Sequence, residues 1–379
     1  MSLLTERRAV GRVVAAMTLA VIVALSGVAA NPTANALQLS PARSDRTSLL
    51  EMGMGLASLL PRSFWEAVGQ PQTITAGSDN VLNLLLLGSD ARSGQGVSRT
   101  DTIMIVSLKK LNGANNPWTM RAASIPRDTA KIPDPFTLNT SDVFKGRINT
   151  ILKKLKNTSP NTEAALAKFE IVIEKLLDIT IDYHALITFS GFHAMVDVVD
   201  PISINVTNEI KDTGYWDDPN RPKGVYFPVQ NSYQLWTWQP NEPSNLCNGL
   251  WKTQGITNQS LWCHRAMPYV RSRKGSGNSD FKRAKRQQEF VYATSRDVEQ
   301  SHLAQLLTSA TTQDTVNQLY TSFEITAPNI LDFYNILHTA QIGNRVVFQP
   351  PKYSKHIPGT TAYKLVLSEV LPWANQNLK

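Results

Sequence analysis

VLNLLLLGSD, residues 81–90, is the segment around which the rest of this 379-residue chain is expected to fold. Val81 to Leu87 is an almost uninterrupted apolar run, which is typical of a central strand that is buried on both faces. Asp90 follows this run after only a glycine and a serine. Because ligands of open α/β sheets bind beyond the carboxyl ends of the strands, Asp90 is a candidate site residue.

Two further strands are predicted after this segment, and each carries charged residues at one end. Arg99-Thr100-Asp101-Thr102 opens the strand Ile103 to Leu108, and Pro126-Arg127-Asp128 follows the strand Thr119 to Ile125. Asp90 and Asp101 therefore flank one polar loop. Two carboxylates near a basic cluster suit a Mg²⁺ that is bound jointly by the protein and a substrate phosphate, although each is also an ordinary loop aspartate when taken alone. The loop is not a Walker motif, because no Gly-Lys-Ser or Gly-Lys-Thr follows its glycines.

The later part of the chain alternates helical and strand patterns, as α/β proteins do. The hydrophobic content of the whole chain, 42%, is enough for a sizeable core. The predicted helices are Ala164 to Leu177, Ser190 to Val199, Phe290 to about Leu307 and a stretch near Pro328 to Ala340, and the predicted strands are Tyr183 to Ile187, Ile202 to Val206 and Asn344 to Gln349.

A basic segment, YVRSRKGSGNSDFKRAKRQQEF, runs from Tyr269 to Phe290. Between Arg271 and Arg286 it has seven positive side chains and one negative, so it supplies +6 of the chain's net charge of +8. If Val270 to Arg273 is extended, Arg271 and Arg273 share one face of a strand. Asp280 is then the predicted N-cap of a helix whose Arg283, Arg286 and Gln287 lie on one side. This arrangement favours a site for a phosphate or pyrophosphate, and the alternative is a solvated basic surface.

The amino-terminal segment predicts export. Arg7, Arg8 and Arg12 precede an uncharged apolar stretch from Val13 to Ala30, which fits either a cleaved secretory signal or a signal anchor within residues 1–36. In both cases the rest of the chain is extracytoplasmic, with a linker at 37–80 and one domain at 81–379. Export excludes nucleic acid as a partner and favours lipid-linked phosphates, wall polymers or the membrane surface.

Residues 211–265 form a predicted insertion that is rich in tryptophan, proline and asparagine. It contains the two cysteines of the chain, Cys247 and Cys263, which are expected to form a disulfide in an oxidising compartment. Its tryptophans either stack on sugar rings or form the insertion's own small core. The five tryptophans are Trp216, Trp236, Trp238, Trp251 and Trp262.

Six short motifs, taken in their order along the chain, resemble those of the LytR-CpsA-Psr family of bacterial cell-envelope phosphotransferases. The resemblance covers about Val81 to Leu307. Each motif is weak alone, but six of them in the right order after an export signal are hard to obtain by chance. The motifs are Leu86-Leu87-Gly88-Ser89-Asp90, Arg99-x-Asp101-Thr102, Ser124-Ile125-Pro126-Arg127-Asp128, Arg147-Ile148-Asn149, Tyr269-Val270-Arg271-Ser272-Arg273 and Asp280-Phe281-x-Arg283-x-x-Arg286-Gln287-Gln288.

The resemblance implies a three-layer α/β/α sandwich with a central mixed sheet and a hydrophobic pocket for a polyprenyl chain. It also implies transfer of a glycopolymer from a polyprenyl-pyrophosphate carrier to a peptidoglycan acceptor. Asp90 and Asp101 would hold Mg²⁺ as the cofactor. The catalytic residues would be Arg99, Arg127, Arg271 and Arg273, and the substrate-binding residues Arg147, Arg283, Arg286 and Gln287.

Some positions depart from the family pattern, and some alternatives stay open. Arg147 stands where the family commonly has lysine, Asp200-Pro201 replaces a usual Gly-Gly, and the approach to Tyr269 is unusual, which affects the expected polymer or acceptor. The general base is Asp280 or a group on the substrate. The second functional hypothesis is a non-catalytic exported binder of polyprenyl-phosphate lipids or anionic wall polymers. A transcriptional regulator is disfavoured by the export signal.

Overall fold

The computed structural model describes the chain from residue 80 onward, with gaps. The predicted signal and linker at 1–79, the two cysteines and the five tryptophans of the insertion lie outside the described residues. No helix in the described ranges is long and apolar enough to cross a membrane. These ranges are 80–90, 99–110, 117–138, 141–189, 192, 196, 201–215, 224–235, 265–275, 278–297, 323–325, 336 and 339–379.

Twelve strands are present in this part of the chain. In chain order they are β1 (Val81–Ser89), β2 (Thr100–Lys110), β3 (Trp118–Ser124), β4 (Tyr183–Ile187), β5 (Ile202–Val206), β6 (Ile210–Asp212), β7 (Val225–Phe227), β8 (Gln230–Leu235), β9 (Phe323–Ile325), β10 (Gln341–Val347), β11 (Ser354–His356) and β12 (Tyr363–Leu365).

The helices follow the same order along the chain. A 3-10 turn at Ile148–Thr150 leads into the first of them. They are α1 (Ile151–Lys156), α2 (Thr162–Leu177), α3 (Ala266–Arg271), α4 (Asp280–Asp297) and α5 (Leu367–Leu378).

The central sheet has six strands in the order β10-β3-β2-β1-β4-β9. It is mixed, as expected, because β1 is antiparallel to β2 and parallel to β4, while β2 and β3 are antiparallel. As a result, the carboxyl ends of β1 and β3 and the amino end of β2 meet at one end of the sheet. This topology brings the charged residues that flank the three strands together.

Alternate residues of the central strands face two different layers of helices. Leu85 and Leu87 of β1 pack in a large core with α1, α2 and α5. Leu82 and Leu84 of the same strand face the opposite side, where Tyr292 of α4 contributes to a smaller core. The expected α/β/α arrangement with a mixed sheet is therefore confirmed.

Three two-stranded sheets lie outside the central one, and two of them belong to the region around the predicted insertion. They pair β5 with β8, β6 with β7, and β11 with β12. Phe227 of β7 contacts Tyr269 of α3 edge to face, with ring centroids 5.3 Å apart. The base of the insertion thereby packs against the start of the basic segment.

The element predictions agree with the structure over most of the described residues. The strands predicted from apolar runs correspond to β1 to β5 and β10, and the helix predicted at 164–177 is α2, which begins two residues earlier. Asn161 caps it by accepting a hydrogen bond from the Ala164 amide at 2.8 Å. Most of the predicted helical segments 190–199, 298–307 and 328–340 lies outside the described residues.

Candidate active site

The loop ends that join β1 to β2 are fastened to each other. The Asp90 amide donates to the Arg99 carbonyl at 3.1 Å, and the Arg99 amide donates to Asp90 Oδ1 at 2.8 Å. Gly88 allows the two strands to approach here, because a Cβ at this position would lie 2.9 Å from the Cβ of Thr102. The predicted neighbours Asp90 and Asp101 are thus held at the same end of the sheet.

One carboxylate oxygen of Asp101 is paired with an arginine, and the other has no hydrogen-bond partner among the described residues. Its Oδ2 lies 2.6 Å from Arg127 Nη1, and the two side chains are 29% and 13% exposed. Its Oδ1 is buried and has no hydrogen-bond partner among the described residues. A buried carboxylate oxygen normally has a partner. With Asp90 nearby, the donor set therefore fits a hard divalent cation such as Mg²⁺, which one or two carboxylates and substrate oxygens ordinarily bind.

Arg283 of α4 reaches the same place from the helical layer. Its Nη2 donates to the Asp101 carbonyl at 3.2 Å, and its Nη1 lies 3.2 Å from Asp280 Oδ1. Burial lowers the pKa of Arg283, while the negative charges of Asp280 and Asp101 oppose that shift. Arg283 is therefore a largely desolvated cation, which strengthens its interaction with any anion that enters.

Two local predictions for the basic segment are wrong. Val270 and Arg271 belong to helix α3 instead of a strand. The N-cap of α4 is Ser279, whose Oγ accepts a hydrogen bond from the Lys282 amide at 3.1 Å, so Asp280 lies within the first turn. The helical form of α3 depends on a distant residue, because the side chain of Arg286 binds the carbonyls of Tyr269 and Ser272 at the end of that helix.

Arg271 is held between aromatic rings. Its guanidinium carbon lies 3.9 Å from the ring centroid of Phe189 and 5.9 Å from that of Tyr215. Its Nη1 also donates to the Tyr215 hydroxyl at 3.4 Å. These contacts restrict the guanidinium, and no carboxylate among the described residues forms an ion pair with it, so its charge stays available for an anion.

A cavity of about 390 Å³ lies between the sheet and α4 and connects to this charged cluster. Its deeper walls are mainly apolar, and two lining hydroxyls are already bonded to carbonyls of their own helix: those of Thr294 and Ser295. The charged and polar lining residues include eight of the ten predicted site residues, namely Asp90, Arg99, Asp101, Arg127, Arg271, Arg273, Arg283 and Gln287.

The structure does not bring Arg147 and Arg286 to the cavity lining. Arg147 lies outside it, where its Nη1 contacts Asp128 Oδ1 at 2.7 Å and its Nη2 donates to the hydroxyl of Thr361. Arg286 is 7% exposed and donates to Tyr269, Ser272 and Asn278. Both arginines interact with the segments that carry the lining arginines.

Three residues of the site were absent from the sequence predictions. Phe189 and Tyr215 hold Arg271, and Asp212 accepts hydrogen bonds from the segment between Arg271 and Gly275. Asp212 and Tyr215 lie at the start of what the sequence presents as an insertion. Their contacts join residues about sixty positions apart, and no local pattern signals them.

The fold and the site define an α/β protein in which an apolar cavity opens onto a cluster of arginines and two carboxylates. A sequence profile described as the LytR_cpsA_psr family matches residues 66–371. This chain belongs to the LytR-CpsA-Psr family.

Individual relatives are similar over shorter stretches. TagU of Bacillus cereus (strain AH820), named polyisoprenyl-teichoic acid–peptidoglycan teichoic acid transferase, is 32% identical over 132 residues, which are 35% of this chain and 36% of that protein. A second TagU, from Bacillus mycoides (strain KBAB4), is 28% identical over 38% of this chain and 40% of its own length. The chain thus spans well under half the length of these curated relatives.

Solved structures support the fold over a larger share. B. subtilis TagV matches with a TM-score of 0.50 at 18% identity, covering 80% of this chain and 98% of that chain. Protein gbs0355 from Streptococcus agalactiae also gives 0.50, at 16% identity, covering 81% of this chain and 90% of that chain. At these identities the similarity establishes the architecture.

Proposed function

We propose that this chain is an extracytoplasmic phosphotransferase that moves a glycopolymer from a polyprenyl-pyrophosphate carrier to a hydroxyl of peptidoglycan. The observation that carries the proposal is the continuity of the apolar cavity with the arginine cluster. A polyprenyl pyrophosphate has one apolar part and one multiply charged part, so it matches both halves of the site. A free sugar phosphate would leave the apolar walls without a partner.

The proposed role of the arginines is to bind and orient the pyrophosphate. Arg127 and Arg283 approach from the sheet and from α4, and Arg271 and Arg273 approach from the basic segment. Planar guanidinium groups bind phosphate oxygens in pairs and neutralise the charge that develops during phosphoryl transfer. Arg99 and Gln287 would complete this set of donors.

The proposed reaction is a substitution at the phosphorus that carries the glycopolymer. The acceptor oxygen forms a new bond to that phosphorus, and its hydroxyl proton is released. The bond to the bridging oxygen breaks, the electron pair stays on that oxygen, and polyprenyl phosphate leaves. Such a transfer depends mainly on positioning and on charge stabilisation, which the residues described above are suited to supply.

We further propose that Asp90 and Asp101 hold Mg²⁺. The buried oxygen of Asp101 that lacks a hydrogen-bond partner supports this assignment. When bound, the ion would neutralise phosphate oxygens and help to orient the transferred group. No cluster of three or more metal-binding side chains occurs within the described ranges, and Mg²⁺ at phosphate sites usually takes its remaining ligands from substrate and water.

The names of the TagU relatives support the same donor and acceptor classes. They describe transfer of teichoic acid to peptidoglycan by those proteins, each aligned here over only part of its length. For this chain we propose the broader class of polyprenyl-linked glycopolymers. The predicted export segment supports action at the outer face of the cell membrane.

A direct assay uses the purified chain, a synthetic polyprenyl-pyrophosphate oligosaccharide with a labelled sugar, and a peptidoglycan glycan as acceptor. We expect label to move to the acceptor and polyprenyl phosphate to be released when Mg²⁺ is present, and both products to disappear after chelation with EDTA. Retention of the intact lipid with no turnover in any condition would instead identify a non-catalytic binder and refute the transferase.

A further inference from the structure

We propose that Asp212 is a positioning residue that holds Arg271 and Arg273 at the mouth of the cavity. It does so by binding Ser272, which lies between them, and Lys274, which lies just beyond them, while Arg286 binds carbonyls of the same segment. The inference deepens the proposed function and rests on it for its consequence in catalysis. It assigns a role to the start of the predicted insertion.

Asp212 is the last residue of β6 and is 2% exposed. Its Oδ2 accepts two hydrogen bonds, from the Ser272 hydroxyl at 2.9 Å and from the Lys274 amide at 3.1 Å. Ser272 and Lys274 immediately flank Arg273 in the sequence. One buried carboxylate oxygen therefore fixes the backbone on both sides of an arginine that lines the cavity.

Gly275 shows how closely this segment lies against β6. Its φ is +88°, and a Cβ at this position would lie 1.8 Å from the carbonyl oxygen of Lys211. Only glycine fits such an approach of two backbones. The segment after Arg273 is thus in direct contact with the strand that carries Asp212, and the hydrogen bonds of Asp212 lock that contact.

Asn278 and Arg286 complete the support from the side of α4. Asn278 Nδ2 donates to Ser272 Oγ and to the Lys274 carbonyl, both at 2.8 Å. Arg286 donates from Nε to the Tyr269 carbonyl at 2.8 Å, from Nη1 to Asn278 Oδ1 at 2.8 Å, and from Nη2 to the Ser272 carbonyl. All three of its nitrogens therefore bind protein groups around the two lining arginines.

The charges of Asp212 and Arg286 are mutually favourable. Burial lowers the pKa of Arg286 to about 10, and the nearby negative charge of Asp212 opposes this shift. Such desolvated charges are stable where hydrogen bonds satisfy them: Arg286 makes three, whereas Asp212 is bonded through Oδ2 and its Oδ1 has no hydrogen-bond partner among the described residues. The support that Asp212 gives to the segment therefore rests on its two hydrogen bonds, and its charge adds only a minor favourable interaction with Arg286.

Asp212 acts through other residues, because it does not line the cavity. Three positions further on, Tyr215 contacts Arg271 itself. Residues 212–215 thus orient Arg271 through the side chain of Tyr215. They orient Arg273 through the hydrogen bonds that Asp212 makes with its two sequence neighbours. Without Asp212, the arginines keep their charge but lose their fixed orientation, which weakens binding of a compact anion.

The test compares Asp212→Ala with Asp212→Asn and with Asn83→Ala as a matched control. Asn83 is also buried, and its Nδ2 binds the carbonyls of Thr180 and Leu378 at the opposite end of β1, both at 2.8 Å. Titration calorimetry with inorganic pyrophosphate, performed well below the unfolding midpoint of each variant, measures affinity for the arginine cluster. Hydrogen exchange of the Lys274 amide measures the support directly.

We expect Asp212→Ala to bind pyrophosphate on the order of 10-fold more weakly and to exchange the Lys274 amide faster. Asp212→Asn keeps an acceptor oxygen for both donors and should restore most of the affinity. Asn83→Ala should lose stability but keep the affinity of the unmodified chain. Wild-type affinity in Asp212→Ala, or equal losses in the alanine and asparagine variants, would overturn the inference.

The exchange measurement separates this inference from the proposed function. If the unmodified chain fails to bind pyrophosphate, the transferase proposal loses its support, while faster exchange at Lys274 in Asp212→Ala still demonstrates the positioning contact. If exchange at Lys274 is the same in both proteins, Asp212 does not hold the segment, whatever the ligand of the cavity is.

Discussion

The two faces of the central sheet are made by alternate residues of the same strands, but their packing differs. On one face, Leu85 and Ile105 pack against α1, α2 and α5 in an extensive apolar core. On the other face, Leu84 and Val106 lie in a smaller core beside the cavity. The strands present apolar residues on both faces, so the difference in packing comes from the helices that cover them.

The sequence of α4 explains why its face contains a cavity. The helix buries Arg283, Arg286 and Gln288, whose polar ends bind backbone carbonyls and the hydroxyl of Ser124. Gln288 contacts the sheet through hydrogen bonds to Ser124 and Val346, whereas Phe169 and Ile173 of α2 pack in the apolar core of the other face. One face therefore provides stability, and the other provides space and charge for a ligand.

The largest expected effect is on the charged end of the cavity face. Asp101→Asn removes the charge of the carboxylate that pairs with Arg127 in the cavity lining and should reduce the transfer rate about 1,000-fold, or about 4 kcal/mol in the activation barrier. The unfolding free energy should fall by about 1 kcal/mol, because the ion pair with Arg127 loses one of its charges while asparagine keeps an acceptor oxygen. The matched control is Asp178→Asn, at a side chain that is 79% exposed, which should keep full activity. Steady-state kinetics and urea unfolding check both variants, and near-normal transfer by Asp101→Asn would contradict the assignment.

The next effect contrasts two neighbouring leucines of β1. Leu85→Trp adds a large ring to the filled core and should reduce the unfolding free energy by about 3 kcal/mol, because that core has no room. Leu86→Trp points the same ring into the cavity and should change stability by less than about 1 kcal/mol.

The same pair distinguishes stability from lipid binding. Leu86→Trp should reduce the affinity for a fluorescent polyprenyl phosphate by on the order of 10-fold, since it occupies the space proposed for the chain. Inorganic pyrophosphate affinity should be retained. If both tryptophan variants unfold at the same urea concentration, the two faces do not differ in packing as described.

A smaller effect concerns the dependence of stability on pH. Burial raises the pKa of Tyr292, whose hydroxyl donates to the Met120 carbonyl at 3.0 Å on the cavity face. The unfolded chain then loses this proton at a lower pH than the folded chain, so the stabilisation is complete below about pH 10 and is lost as the pH rises further. Between pH 9 and pH 11, the unfolding free energy of Tyr292→Phe should therefore fall by about 1 kcal/mol less than that of the unmodified chain. Parallel urea curves for the two proteins over that range would contradict it.

The smallest effect is expected at Arg147, which the sequence assigns to substrate binding. Arg147→Lys keeps a positive charge beside Asp128 but cannot bind Thr361 in the same fork geometry. Because the side chain is 38% exposed and outside the cavity lining, the transfer rate should fall by no more than about threefold. A loss comparable to that of Asp101→Asn would show that Arg147 acts on the substrate directly.

Local sequence was sufficient for six of the twelve described strands, β1 to β5 and β10, and for much of the site. The apolar run at 81–87 and the charged residues beside it predicted a buried strand with Asp90 at its end, and the order of the strands in the sheet brings Asp101 and Arg127 to the same place. These groupings were predictable because each of these charged residues directly follows or precedes a strand. The pairing of the strands then places the residue at one end of the sheet.

Contacts between distant segments were not predictable in this way. Helical spacing places Arg283, Arg286 and Gln287 on related faces of α4, but it does not show that Arg286 is directed at the end of α3. Asp212 depends on hydrogen bonds to residues 60 and 62 positions away. The predicted disulfide, the signal segment and the domain boundary at 81 stay predictions.

The paired hydrogen bonds between Asp90 and Arg99 have a consequence for how this protein can vary. They close the connection from β1 to β2 at its base, so its two ends, Asp90 and Arg99, are held at fixed points beside the sheet. The entropy of closing such a loop grows only slowly with its length. Insertions between these two residues should therefore be tolerated by the fold, so the length of this connection can change without disturbing the carboxylates beside it.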